Sequence, residues 1–119
     1  MLLHIVLFNF KKGFSWASQE SADAELSTKN HPKQIDQIQG WLCSRNVSDR
    51  KLAADFMVLG LFNNISDVQD YLIHPNHQEG VEKWRKIANW QVIDIDMNDE
   101  TTHTAELMDS FKSLVIKKS

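Results

Sequence analysis

From Leu2 to Phe10 both alternating sets of side chains are apolar. Leu3, Ile5 and Leu7 fall on one side, while Val6, Phe8 and Phe10 share the other with His4. A strand that is apolar on both faces must be covered on both. Phe56 to Phe62 repeats the pattern, with Gly60 marking a bend or a close approach. Trp90 to Met97 is a third strand, in which Ile93, Ile95 and Met97 alternate with Val92, Asp94 and Asp96, so its second face turns polar. Ile35 to Cys43 alternates more weakly and reads as an edge strand.

Helical signals lie between these strands. Ser18 to Lys29 is composed mainly of good helix formers and is expected to end before His31-Pro32, because proline disfavours helix in the residue before it. Ser66 with Gln69 suggests a capping box opening a short helix through Val68, Tyr71 and Leu72. Pro75 interrupts that helix and suits the first position of the next, along which Val81, Trp84 and Ala88 form a stripe.

The resulting order is β, α, β, β, α with a break and a second α, then β. This split βαβ pattern predicts an α+β fold, an antiparallel four-stranded sheet with its helices on one face. Helices on one side leave the other apolar face of the strands bare, and a bare face of several hundred Å² is abnormal for a monomer. The expectation is a homodimer with two sheets face to face. The competing expectation is that the C-terminal segment folds back over the open face. After the polar stretch at 98–102, that segment carries Leu107, Phe111, Leu114 and Val115 at helical spacing, with Glu106 and Asp109 on the polar side. It predicts an amphipathic helix packed on protein rather than on a membrane. The domain is therefore expected over 1–97, and a linker with an extra C-terminal helix over 98–119.

Length and composition narrow the function. A chain of 119 residues with 42% hydrophobic residues supports one folded core. A net charge of −3 offers no positive field for nucleic acid. The single cysteine, Cys43, cannot form an internal disulfide, which fits a reducing compartment. The first strand is too short to span a bilayer and lacks the leader and cleavage site of an export signal, so a cytoplasmic location without membrane contact is expected. Among four glycines there is no phosphate-binding loop, dinucleotide fingerprint or nucleophile elbow.

Three segments carry a family resemblance: Leu3-His4-Ile5-Val6-Leu7-Phe8, then Ser44-Arg45-Asn46-Val47-Ser48, then Tyr71-Leu72-Ile73-His74-Pro75-Asn76-His77 followed by a helix and Val92-Ile93-Asp94-Ile95-Asp96. In this order, over 1–97, the chain resembles the stress-responsive dimeric α/β-barrel (Dabb) family, which includes plant polyketide cyclases of the olivetolic-acid type. The resemblance implies a ferredoxin-like fold whose sheets pair in a homodimeric α/β barrel. It also implies a pocket between helices and sheet. In the cyclases the counterparts of Tyr71 and His77 are the catalytic pair and the counterpart of His4 lines the pocket, with no metal or organic cofactor. Phe56 stands where those cyclases carry a further pocket histidine and is a ligand-contact candidate. That difference, and the residues beyond Met97, separate this chain from the plant branch.

The residue chemistry is compatible with these roles. A tyrosine can donate a hydrogen bond to an oxygen acquiring negative charge, and a neutral histidine can take a proton, so Tyr71 with His77 suits enolate chemistry. Six residues and a proline separate the two, so periodicity does not settle whether their side chains meet. His4, among apolar neighbours, is either a pocket base kept neutral by desolvation or a core histidine satisfied by a carbonyl. His74 is a ligand-binding candidate or a cap at the helix junction. With His77 it has a spacing that could serve a metal, but no third ligand is apparent nearby and no metal is expected. Trp16, in a loop, is a candidate lid, whereas Trp84 and Trp90 read as packing residues. Cys43 has no neighbour that would strongly activate a thiolate. The expected function is binding of a small apolar or aromatic molecule, and the sequence leaves open whether the chain is also a cofactor-free acid/base enzyme of polyketide-cyclase type. The alternatives are a noncatalytic stress-response or protein-interaction module and a cofactor-free oxygenase.

Overall fold

The computed structural model describes residues 1–97, and the linker and amphipathic helix expected over 98–119 lie outside them. The elements are β1 (Leu2–Phe10), α1 (Gln19–Gln34), β2 (Gly40–Arg45), β3 (Phe56–Phe62), α2 (Ile65–Ile73), α3 (Pro75–Arg85) and β4 (Ala88–Asp96). The strands form one antiparallel sheet in the order β2-β3-β1-β4, which is the expected ferredoxin-like βαββαβ arrangement. The two strands that are apolar on both faces take the central positions, while the weakly alternating β2 and the half-polar β4 form the edges.

The register makes His4 the centre of a row. It pairs with Gly60 on one side and Asp94 on the other, and Gly60 pairs onward with Trp41. These residues share the helix-facing side with Val6, Val58, Phe8 and Phe56, which pack against Ala24, Val68, Tyr71 and Trp84 from the helices. Gly60 is there for close approach. A Cβ at that position would lie 2.9 Å from the Phe62 ring and 3.1 Å from the Trp41 ring.

Four sequence expectations are corrected. First, α1 continues past Lys29 through Pro32 to Gln34. Pro32 has no N–H for the carbonyl of Thr28, four residues earlier, but the Trp41 indole donates to that oxygen at 3.1 Å, so the helix continues without an orphaned carbonyl. Second, β2 begins at Gly40 rather than Ile35. Ile35 caps α1, and the fully buried Ile35 and Ile38 are folded under the connecting turn, a spacing of three that only imitates alternation. Third, the cap of α2 is Asn64, whose side chain accepts from the Asp67 N–H at 2.9 Å, so Ser66 and Gln69 lie inside the helix. Fourth, α3 stops at Arg85, and Ala88 belongs to β4 rather than to a helical stripe.

The opposite face of the sheet carries a continuous apolar row, Leu42–Leu59–Ile5–Ile93, set by the strand register. Ile93 is 55% exposed, and Leu7, Leu42 and Ile95 are also exposed. No described helix is long and apolar enough to cross a membrane.

Candidate functional site

The break between α2 and α3 builds the site. Pro75 starts α3 and has no N–H to continue the hydrogen-bond ladder of α2. The next N–H, that of Asn76, donates to Nδ1 of His74 at 3.1 Å, so His74 caps α3. The carbonyl of Leu72 is thereby left to side chains. It accepts from His77 Nδ1 at 3.0 Å and from the Gln78 amide at 2.6 Å. This bond turns the first-turn histidine of α3 back over the last turn of α2, and the Tyr71 and His77 rings lie 4.2 Å apart.

A carbonyl oxygen can only accept, so Nδ1 of His77 carries the proton and Nε2 the lone pair. Desolvation lowers the His77 pKa to about 4, aided by the neighbouring histidines and opposed by the bond to Leu72. The ring is neutral at physiological pH. Tyr71 is 2% exposed, and burial, reinforced by Asp94, raises its pKa, so its hydroxyl remains a donor.

His4 approaches from the sheet. Its ring stands edge-on to Tyr71 at 5.6 Å and to Phe62 at 6.0 Å. Its Nδ1 is 2.6 Å from Oδ1 of Asp94, its register partner on β4. A carboxylate oxygen accepts, so Nδ1 of His4 is the donor in this contact. His31, in the last turn of α1, brings a third imidazole, with ring centroid 5.7 Å from His77. Its Nδ1 is 2.6 Å from Oδ1 of Asn76, and burial lowers its pKa against that hydrogen bond.

These groups line one cavity of about 160 Å³ between sheet and helices. Its walls are apolar, with Val6, Phe8 and Val58 from the sheet and Val81 and Trp84 from α3. Val92 and Asp94, on edge strand β4, also line it and are partly exposed. The volume suits an occupant of about one six-membered ring, since a cavity of ~150 Å³ holds benzene.

The structure thus brings His4, Tyr71 and His77 together and leaves the other two expected ligand contacts out. His74 is occupied at the N-terminus of α3 and does not line the cavity. Phe56 is turned into the core, stacked on Trp84 at 5.2 Å and packed against Phe8 and Trp16, so it supports the cavity from behind. Trp16 is not positioned as a lid. It packs on Phe10 and Phe56, and Arg45 lies 4.1 Å above its ring while forming a two-pronged ion pair with Glu25. Trp84 and Trp90 both line the cavity as well as packing. Cys43 is half-buried, and desolvation raises its thiol pKa to about 11, far from a thiolate nucleophile. No group of three or more His, Cys, Asp or Glu among the described residues is placed to hold a metal.

Sequence reasoning did not select Asp94 and His31. Asp94 stands out in the sequence as an acidic residue two positions after Val92 on the same strand face, but its partner depends on register. His31 falls beyond the expected end of the helix, because Pro32 disfavours helix in the residue before it.

Comparison with known proteins agrees with this architecture. The chain is 31% identical over 96 residues to an uncharacterised protein of Streptomyces coelicolor, covering 81% of this chain and 99% of the relative. It superposes with a TM-score of 0.70 on a dimeric ferredoxin-like protein of unknown function from Thermobifida fusca, at 14% identity and covering 79% and 88% of the two chains. The hydroxynitrile lyase of Passiflora edulis matches with a TM-score of 0.67 at 14% identity, covering 79% and 90%. At these identities the two structures show a shared fold. Residues 2–99 match the profile of the Stress responsive A/B Barrel Domain, Dabb, and the chain therefore belongs to that family.

Proposed function

We propose that this protein binds a small carbonyl compound in the cavity and carries out cofactor-free acid/base chemistry on it, of the kind that polyketide cyclisation requires. One observation carries the reading: a hydroxyl donor, Tyr71, and two imidazoles, His4 and the neutral His77, meet in one apolar cavity of about 160 Å³. Tyr71 donates to the carbonyl oxygen, and the negative charge that develops there on enolate formation strengthens this bond. His77 takes the proton from the adjacent carbon through Nε2. The apolar walls exclude water and strengthen both interactions.

A second assignment of the base is favoured by the 2.6 Å contact between His4 and Asp94, because a carboxylate behind an imidazole stabilises the imidazolium formed by proton transfer. In that version His77 is a hydrogen-bond acceptor and His4 the base.

A panel of ketones and β-dicarbonyl compounds of about one ring, assayed for turnover with wild type, Tyr71→Phe, His77→Ala and His4→Ala, tests the proposal. Each catalytic group is expected to contribute roughly 10²–10⁴-fold. Retained turnover in folded Tyr71→Phe and His77→Ala would remove both residues from the mechanism.

The exposed apolar row on the sheet supports the homodimer proposal, with a second copy as its cover. The Thermobifida protein of the same fold is described as dimeric. Light scattering at micromolar concentration should report two chains, and Ile93→Glu should shift the protein towards one. A wild-type monomer would contradict this assembly.

A further inference from the structure

His31 is a buried, cavity-facing group with no part in the proton transfer described above. It is 3% exposed. The Asn76 oxygen accepts from Nδ1 at 2.6 Å, so the lone pair is on Nε2. Asn76 is itself held, its backbone N–H donating to His74 at 3.1 Å. The other side of the ring lies against α3, where a Cβ at Gly80 would come within 2.8 Å of Nε2 and 2.9 Å of Cε1. A helix gives up ~1 kcal/mol by carrying glycine in place of alanine, and here the glycine makes room for the imidazole.

Among the described residues no enclosed side-chain nitrogen or oxygen lacks a hydrogen-bond partner, and none of them bonds to Nε2 of His31. Nε2 faces the space left beside Gly80, and His31 and Gly80 both line the cavity. A leucine would fill the same space without the desolvation cost of an imidazole.

We infer that His31 is a specificity-determining residue whose Nε2 accepts a hydrogen bond from a ligand hydroxyl. The site then takes one-ring-sized carbonyl compounds that carry an O–H in addition to the oxygen met by Tyr71. This rests on the cavity being a carbonyl-binding site, and it adds a requirement that Tyr71 and His77 do not impose. Burial keeps the imidazole neutral, as an acceptor must be.

Benzaldehyde and the three hydroxybenzaldehydes serve as probes, with binding followed by tryptophan fluorescence and by side-chain 15N spectra of the histidines. Wild type should bind at least one hydroxybenzaldehyde about tenfold more tightly than benzaldehyde, the worth of one net hydrogen bond. Only that probe should move the Nε2 resonance of His31. His31→Leu should lose the preference for that probe over benzaldehyde, while His31→Gln, which keeps an acceptor near Nε2, should retain most of it. Should His31→Leu fail to fold, the wild-type 15N spectrum and His31→Gln decide. Equal affinity for all four probes, or a preference that survives in His31→Leu, overturns the inference and leaves the carbonyl site standing. Failure of benzaldehyde and every hydroxybenzaldehyde to bind overturns both.

Discussion

His4 and Asp94 are neighbours across β1 and β4, and their side chains meet at 2.6 Å at the edge of the cavity. The pair joins a buried imidazole to a carboxylate whose side chain is one-third exposed. Asp94→Asn keeps the shape and removes the charge. A hydrogen bond to a charged group contributes roughly 1.5–3 kcal/mol, about ten- to a hundredfold in rate if His4 is the base. Turnover of the identified substrate by Asp94→Asn therefore separates the two assignments. A loss in that range points to His4, and a change under threefold points to His77.

Acidification should destabilise the protein between pH 6.5 and 4 through His77. In the unfolded chain the imidazole takes a proton near its ordinary pKa of 6.5, whereas in the folded protein it does so only near 4. The unfolded state therefore binds more protons in that window, and stability rises with pH across it. The contribution is full above 6.5 and lost as pH falls through 4, on the order of 3 kcal/mol in all. His31, lowered in the same direction, adds to the slope. Chemical denaturation at stepped pH should show a shallower dependence in His77→Gln than in wild type, and equal slopes would count against the burial of a neutral His77.

Gly80→Ala tests the fit between α1 and α3. Alanine would normally stabilise a helix interior by ~1 kcal/mol, but here its Cβ meets His31 Nε2 at 2.8 Å. Overpacking of this kind costs about 1–3 kcal/mol, so the variant should be less stable than wild type. In a His31→Ala background the same substitution should stabilise by roughly 0.5–1 kcal/mol. Additive effects in the double-mutant cycle would show that the two positions do not touch.

Pro32 and Trp41 form another coupled pair. Trp41→Phe removes the donor to the Thr28 carbonyl, leaving a buried acceptor without a partner and costing about 1–3 kcal/mol. Adding Pro32→Ala restores a backbone N–H four residues after Thr28 and should recover about 1 kcal/mol. The same Pro32→Ala change in wild type should recover nothing. Urea midpoints of the four proteins measure this directly.

Most of the fold was legible because it rests on periodicity. β3 appears with the bounds read from Phe56 to Phe62, and the two-faced strands are central. Where Pro32 and Ile35 misled, the compensating group lay far along the chain or outside the local pattern. Nothing near residue 28 reveals that an indole from β2 will satisfy its carbonyl. The site was legible to a similar depth. Pro75 announced the helix break, but that the break would free the Leu72 carbonyl and turn His77 onto Tyr71 is a three-dimensional consequence. His74, three residues from His77, has its ring nitrogen on the Asn76 N–H instead. Asp94 became visible only with the register, because a one-residue slip would send it to the opposite face of the sheet.

The most direct test of acid/base chemistry in the cavity needs no knowledge of the natural substrate. Cyclohexanone has one ring and exchanges its α-protons with solvent slowly, so its 1H signal in D2O reports enolate formation. Wild type should accelerate the loss of that signal well above buffer, with Tyr71→Phe falling by about a hundredfold. Exchange at the buffer rate in the presence of folded wild-type protein, or equal acceleration by Tyr71→Phe, would contradict the account.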